Sequence, residues 1–220
     1  MSQGISGVGM TSQRTRARMV KRLRDQGIRN ESVLAAIETV PRHVFVEEAL
    51  ASRAYEDTAL PLGYSQTISQ PYSVARMLEI LLEGRALGKT LEIGTGSGYQ
   101  AAVLAQLTPE VFSVERIDAL LIKAKRNLRA ARQSRIRLKH ADGQFGLPEA
   151  APFDTIIFAA AARNVPEKVL QQLAIGGKML FPLEGENRQT LLLIERCGEK
   201  NYTETRLENV RFVPLLAGIE

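Results

Sequence analysis

Apolar positions fall at helical spacing in the first third of the chain and at strand spacing through most of the rest. Thr11 to Gln26 reads as a basic helix stopped by Gly27, and Glu31 to Val40 as a second, with Val33, Leu34, Ile37 and Val40 on one face and Pro41 ending it. Val44 to Ala54 gives a third helical pattern. The small, hydroxylated stretch from Leu60 to Gln70 reads as a loop, and a helix follows from Pro71 to Leu82. After Gly88 the texture changes, and short apolar runs alternate with helical patterns. Thr90 to Gly94 precedes a helix through Ala101, Ala102, Leu104 and Leu107, and Val111 to Glu115 precedes one from Asp118. Ile136 to Asp142 leads into a Gly/Pro loop, then Phe153 to Ala159. Pro166 suits the first turn of a helix reaching Leu173, ended by Gly176 and Gly177 before a fifth strand, Lys178 to Leu183. Thr190 to Arg196 and Tyr202 to Val213 have no helix between them, the sign of an antiparallel pair closing an otherwise parallel sheet. The alternation predicts an α/β fold: a doubly wound, mostly parallel, seven-stranded sheet with an N-terminal helical segment and an antiparallel C-terminal strand pair.

Composition agrees with a folded α/β domain, since 45% of the 220 residues are apolar. No apolar run approaches the roughly 18 residues that span a bilayer. Residues 1–10, rich in glycine and serine, lack the basic-then-apolar pattern of a signal peptide. A flexible N-terminus, a cytoplasmic location and no membrane partner are expected. The single Cys197, at a strand end, is expected to be a small, half-buried residue without a disulfide. With only His43 and His140 in the chain, no metal is expected. The net charge is +5 and the cations cluster, from Arg14 to Arg24 and from Lys123 to Arg135. A nucleic-acid surface would look like this. So would a solvated helix face, and Leu120, Leu121, Ala124, Leu128 and Ala131 form the apolar stripe that such a face accompanies. No nucleic-acid partner is expected, and a monomer is, because nothing marks an interface.

Candidate chemistry centres on Leu91 to Ala102, where Gly94, Gly96 and Gly98 sit between a strand and a helix. Glycine there permits a tight turn and close approach of a ligand. A phosphate-binding P-loop fails on spacing, because Gly84 to Thr90 has three intervening residues where four are needed and precedes the strand. A hydrolase nucleophile elbow fails because Ser97 is flanked by Thr95 and Tyr99 where glycines are required. The dinucleotide pattern is nearer, but Tyr99 occupies the place of its third glycine. Three acids add specificity. Glu115 ends the second strand, where a carboxylate accepts ribose hydroxyls; Asp142 ends the third, within reach of an adenine amino group; Glu92, inside the first, faces the amino end of a ligand. The set suits a nucleoside bearing an ammonium group and no phosphate, and S-adenosyl-L-methionine is that molecule.

These residues resemble the Rossmann-like class I S-adenosylmethionine-dependent methyltransferases, and the chain as a whole resembles the protein-L-isoaspartate O-methyltransferases among them. The resemblance is carried in order by PRHVFVEEALASRAYEDTALPLG, QTISQPY, LEIGTGSGYQ, FSVERI, Asp142-Gly143 with Gly146, GGKML and the terminal VRFVPL, from about Thr11 onward. Ser65, where the family often has glycine, Ala159, where threonine is frequent, and Leu183-Glu184 depart from it. The resemblance implies one methyltransferase domain over residues 11–220: a helical cap and active-site loop (11–84), a cofactor-binding core (85–183) and C-terminal strands (184–220). It implies a repair enzyme that methylates the free α-carboxylate of L-isoaspartyl residues in damaged proteins and peptides. Ser69 would hold that carboxylate, with Val213 and Pro214 beside the bound peptide. Gln66, Thr67, Ile68 and Ser69 would line the cofactor together with Glu92, Gly94, Thr95, Gly96, Gly98, Glu115, Arg116, Asp142 and Gly143. The alternatives left open are a methyltransferase for RNA or a small molecule, and a non-catalytic cofactor-binding module.

Overall fold

The structure, a computed structural model, describes residues 9–220. Most of the flexible terminus expected at residues 1–10 therefore lies outside the described residues; Gly9–Thr11 forms a single 3-10 turn. Six α-helices follow: α1 (Gln13–Asp25), α2 (Glu31–Thr39), α3 (Pro71–Leu81), α4 (Tyr99–Leu107), α5 (Asp118–Ala130) and the one-turn α6 (Glu167–Leu170). The strands are β1 (Leu60–Gly63), β2 (Gln66–Ile68), β3 (Thr90–Ile93), β4 (Val111–Glu115), β5 (Arg137–His140), β6 (Phe153–Phe158), β7 (Leu173–Glu184), β8 (Gln189–Arg196) and β9 (Tyr202–Val210).

β1 and β2 form a separate hairpin, and the other seven make one sheet in the order β5-β4-β3-β6-β7-β8-β9. The first five of these run parallel; β8 is antiparallel to both of its neighbours, so the expected antiparallel closure involves β7 as well as β9. Strand alternation splits the core in two. Ile157, Leu180, Leu191 and Leu193 face one cluster, while Ile156, Phe158, Met179, Phe181, Leu192 and Ile194 face the other. The two faces are covered unequally. The five longer helices contribute to the first cluster, and α6, two 3-10 turns and the C-terminal tail cover the second.

Several expected elements take a different form. Val44 to Ala54 is not a helix; it lies in two 3-10 turns, Arg42–Phe45 and Glu48–Arg53. They wrap around Arg42, which is fully buried, donates from Nε to the Ala54 carbonyl at 2.9 Å and stacks on the Tyr99 ring at 4.8 Å. The expected loop from Leu60 to Gln70 contains the β1–β2 hairpin, whose two linking residues, Tyr64 and Ser65, both have positive φ (53° and 56°). The helix expected to reach Leu173 stops at Leu170, because the fully buried Leu173 is already paired with Phe153 in the sheet. The last strand ends at Val210, short of Val213, where the Gln189 side chain takes over both backbone groups of Phe212. Cys197 is exposed where a half-buried position was expected.

Candidate active site

The sheet's chain path reverses direction at β3, whose two neighbours are β4 and β6. Ligands of open α/β sheets bind beyond the carboxyl ends of the strands at such a switch point. A concave cavity lies there. Its wall is drawn from four parts of the chain: the hairpin (Gln66 to Ser69), the glycine loop (Gly94 to Ser97), the strand ends (Glu115, Arg116, Gly143, Ala159) and the tail (Val213 to Leu216). Beside it runs an open cleft bounded by the hairpin, α3 and the end of β9. Thr67, Ser69, Ala159 and Val213 line both spaces.

The glycine loop needs its glycines. Gly94, Gly96 and Gly98 have φ of 95°, 53° and 88°, in the left-handed region where a Cβ is costly. At Gly98, which caps α4, a Cβ would also stand 3.1 Å from Leu128 of α5. Asn127, a polar residue within the α5 apolar stripe, donates to the Ser97 carbonyl at 3.1 Å and ties the loop down. Gly143 approaches β3 so closely that a Cβ would lie 2.5 Å from an Ile93 methyl.

The acids divide into those on the wall and those behind it. Glu115 lines the cavity, and its carboxylate is oriented by backbone N–H groups of Gly96 (2.8 Å), Arg116 (2.9 Å) and Ile117 (3.1 Å). Asp142 stands behind the lining. One of its oxygens caps its own turn by accepting from Gln144 N, and the other accepts from Gly218 N at 2.6 Å. Glu92 is fully buried beneath the floor. Its Oε2 accepts from Ser113, which is joined in turn to Thr95 on the wall. Burial pushes the Glu92 carboxyl up to about 8 against the weaker pull of Ser113. The Gln100 amide, which reaches the cavity wall, lies beside the Glu92 carboxylate and also opposes the rise. Glu115 and Gln100 on the wall, with the Glu92 carboxyl behind them, suit a nucleoside that bears an ammonium group.

Ten of the thirteen expected cofactor residues thus line the cavity; Glu92, Gly98 and Asp142 support it from behind. Ser69 sits at the junction. Gln70 is the N-cap of α3 and Pro71 its first residue, so Ser69 lies outside the cap and its hydroxyl bonds to no described residue. The segment is held from Asp57, whose carboxylate accepts from Gln70 Nε2 (3.0 Å), Tyr72 N (3.0 Å) and Gln26 Nε2 (2.7 Å). Sequence reasoning missed Asp57, Tyr99, Leu215 and Leu216. It missed Asn127 as well, which left a trace as a polar break in an apolar stripe.

The basic N-terminal helix is more than a solvated face. Arg16 is buried against the carbonyls of Glu38 and Thr39, Arg22 reaches the Tyr55 carbonyl, and Arg24 and Lys21 pair with Glu31 and Asp25. Four of the six cations in that cluster are therefore engaged within the fold. Among the described residues no group of three or more His, Cys, Asp or Glu could hold a metal, and no helix is long and apolar enough to cross a membrane.

Residues 14–220 match the family model of protein-L-isoaspartate(D-aspartate) O-methyltransferase. The chain is 65% identical over 217 residues to the protein-L-isoaspartate O-methyltransferase of Dechloromonas aromatica, covering 98% of this chain and 100% of that one. It is 60% identical over 220 residues to that of Aromatoleum aromaticum, covering both chains completely. Among solved structures, a Plasmodium falciparum protein described as a protein-L-isoaspartate O-methyltransferase, in complex with S-adenosyl-L-homocysteine, superposes with a TM-score of 0.80. It is 23% identical, with 91% of this chain and 98% of that one covered. Another protein-L-isoaspartate O-methyltransferase gives 0.81 at 28% identity, over 90% of this chain and 65% of that one.

Proposed function

The chain belongs to the protein-L-isoaspartate(D-aspartate) O-methyltransferase family, and from that premise we propose how its two cavities divide the work. The activity is methyl transfer to the free α-carboxylate of L-isoaspartyl residues in damaged proteins and peptides. S-adenosyl-L-methionine, when bound, supplies the methyl group on a sulfonium. Glu115 holds the ribose hydroxyls, the glycine loop receives the ligand against its backbone, and Asp142 stands near the adenine end. Glu92 and Gln100 lie toward the amino acid end.

The acceptor enters from the open cleft. An α-carboxylate has a pKa of about 3.5, so at neutral pH it is already the nucleophile and needs no general base. What the protein contributes is alignment, a term that reaches roughly 7–11 kcal/mol in well-oriented systems. Ser69 donates a hydrogen bond to one carboxylate oxygen and leaves the other free to attack. A neutral donor suits this task, because an arginine clamp would lower the nucleophilicity of the carboxylate and repel the sulfonium. Val213 and Pro214 border the peptide, which lies along the open edge past the end of β9. The observation that carries this reading is the sharing of Thr67, Ser69, Ala159 and Val213 by cavity and cleft.

The test uses two synthetic peptides that differ only in one isoaspartyl or normal aspartyl linkage, with methyl-labelled S-adenosyl-L-methionine and base-labile methanol as readout. Only the isoaspartyl peptide is expected to take label, and Ser69→Ala is expected to lose roughly 10²-fold in kcat. If neither peptide is labelled while the cofactor still binds, the reading is wrong.

A further inference from the structure

The open cleft has three charged side chains on its wall: Arg76, Glu208 and Arg211. Two of them are matched to each other. Arg76 donates from Nε to both oxygens of Glu208 (3.2 and 3.1 Å) and from Nη1 to Glu79 (3.0 Å), so its charge is balanced within the fold. Arg211 differs. It is exposed and makes no ion pair or hydrogen bond with any described residue. Its backbone is nevertheless held in place. Next to it, Phe212 donates its N–H to Gln189 Oε1 (2.6 Å) and accepts from Gln189 Nε2 (3.0 Å), and the Val213 carbonyl accepts from Ala161 N (2.8 Å). A free guanidinium therefore projects from a fixed segment of the cleft wall.

Its distance from the chemistry is also set. Val213 lines both spaces and marks the acceptor end of the cleft, and two residues of chain span at most about 7 Å. Arg211 does not line the cofactor cavity, so it neither clamps the reacting carboxylate nor faces the sulfonium. It stands beside the part of a bound peptide that flanks the damaged residue.

We propose that Arg211 makes this enzyme select isoaspartyl peptides that carry an acidic side chain within two residues of the damaged site. This rests on the repair reading above. Arg76 is already satisfied and offers no comparable attraction, whereas a Glu or Asp in the peptide is the missing partner of Arg211. Exposed ion pairs of this kind are worth a small factor, roughly two- to fivefold, and weaken with salt.

The experiment measures kcat/KM for isoaspartyl peptides that are identical except for Glu or Gln at each of the two positions on either side of the site. The wild-type Glu-to-Gln ratio is expected to be roughly two- to fivefold at one or more positions in low salt and to fall toward one in high salt. Arg211→Gln is expected to bring the ratio to one, and Arg211→Lys to keep most of it. Ready methylation of every peptide with a wild-type ratio of one, or a ratio that survives Arg211→Gln, overturns this inference alone. If no isoaspartyl peptide is methylated, the repair reading falls and this inference falls with it.

Discussion

The Asp57 carboxylate gathers donors from three parts of the chain: the end of α1 through Gln26, the segment after the β1–β2 hairpin through Gln70, and the first turn of α3 through Tyr72 N. Asparagine has one acceptor oxygen and presents an amide that opposes the incoming donors. Hydrogen bonds to a charged acceptor are worth about 1.5–3 kcal/mol each, so the Ser69–Gln70 segment loosens when they go. Asp57→Asn is expected to lower kcat about tenfold or more through misplacement of Ser69. Cofactor affinity, which calorimetry measures, should stay within a factor of about two; an unchanged kcat would show that Asp57 only braces the fold. At this scale the sequence was partly legible. Pro71 fixed the helix start and left Ser69 outside the cap, because proline's missing N–H and set φ suit one position. Asp57 was not legible, because its partners are 13 to 31 residues away and nothing local links them.

Among the elements, the β1–β2 hairpin shows how one departure from the family reads physically. A two-residue turn with both φ positive is the favoured hairpin link, and it favours glycine or asparagine. Ser65, at φ 56°, carries a Cβ where the family often has none. Ser65→Gly should therefore raise stability by about 1 kcal/mol, seen as a Tm increase of roughly 2–4 °C by calorimetry. A decrease would mean that the chain entropy of glycine outweighs the relief of strain. The hairpin escaped the sequence reading because its strands are only four and three residues long, too short to show a period. The long strands were legible, since runs such as Thr190 to Arg196 alternate cleanly or stay apolar throughout. The expected helix at Val44 to Ala54 had the right spacing, yet the burial of Arg42 bends that segment around its guanidinium instead.

For the molecule as a whole, the most consequential charge is the one Glu92 does not carry. Its carboxyl titrates near 8 in the fold and near 4.5 when exposed, so between these values the folded ligand-free protein holds a proton that the unfolded chain has released. Stability from this group is fully present below about pH 4.5 and declines as pH rises toward about 8. Glu92→Gln keeps the neutral shape and removes the titration. Relative to this variant, wild-type Tm is expected to fall across that window; parallel Tm profiles would show that Glu92 is ionised in the fold. The tail is also a whole-molecule feature. Leu215 and Leu216 close the cavity while Arg116 holds the Gly218 carbonyl and the Glu220 carboxylate, and Asp142 holds the Gly218 N–H.

Local chemistry was enough to place the glycine loop, its following helix, the strand-end acid at Glu115 and the parallel core, because φ restrictions and apolar periodicity act over a few residues. The resemblance in QTISQP and VRFVPL carried Ser69 and Val213. Tertiary structure alone decided that Ser69 and Val213, 144 positions apart, would stand on one wall shared by the switch-point cavity and the open cleft. It also decided which arginines are consumed inside the fold and which are left free, Arg211 of the cleft wall among them. Those outcomes depend on packing between distant elements, and no short-range pattern of side chains records them.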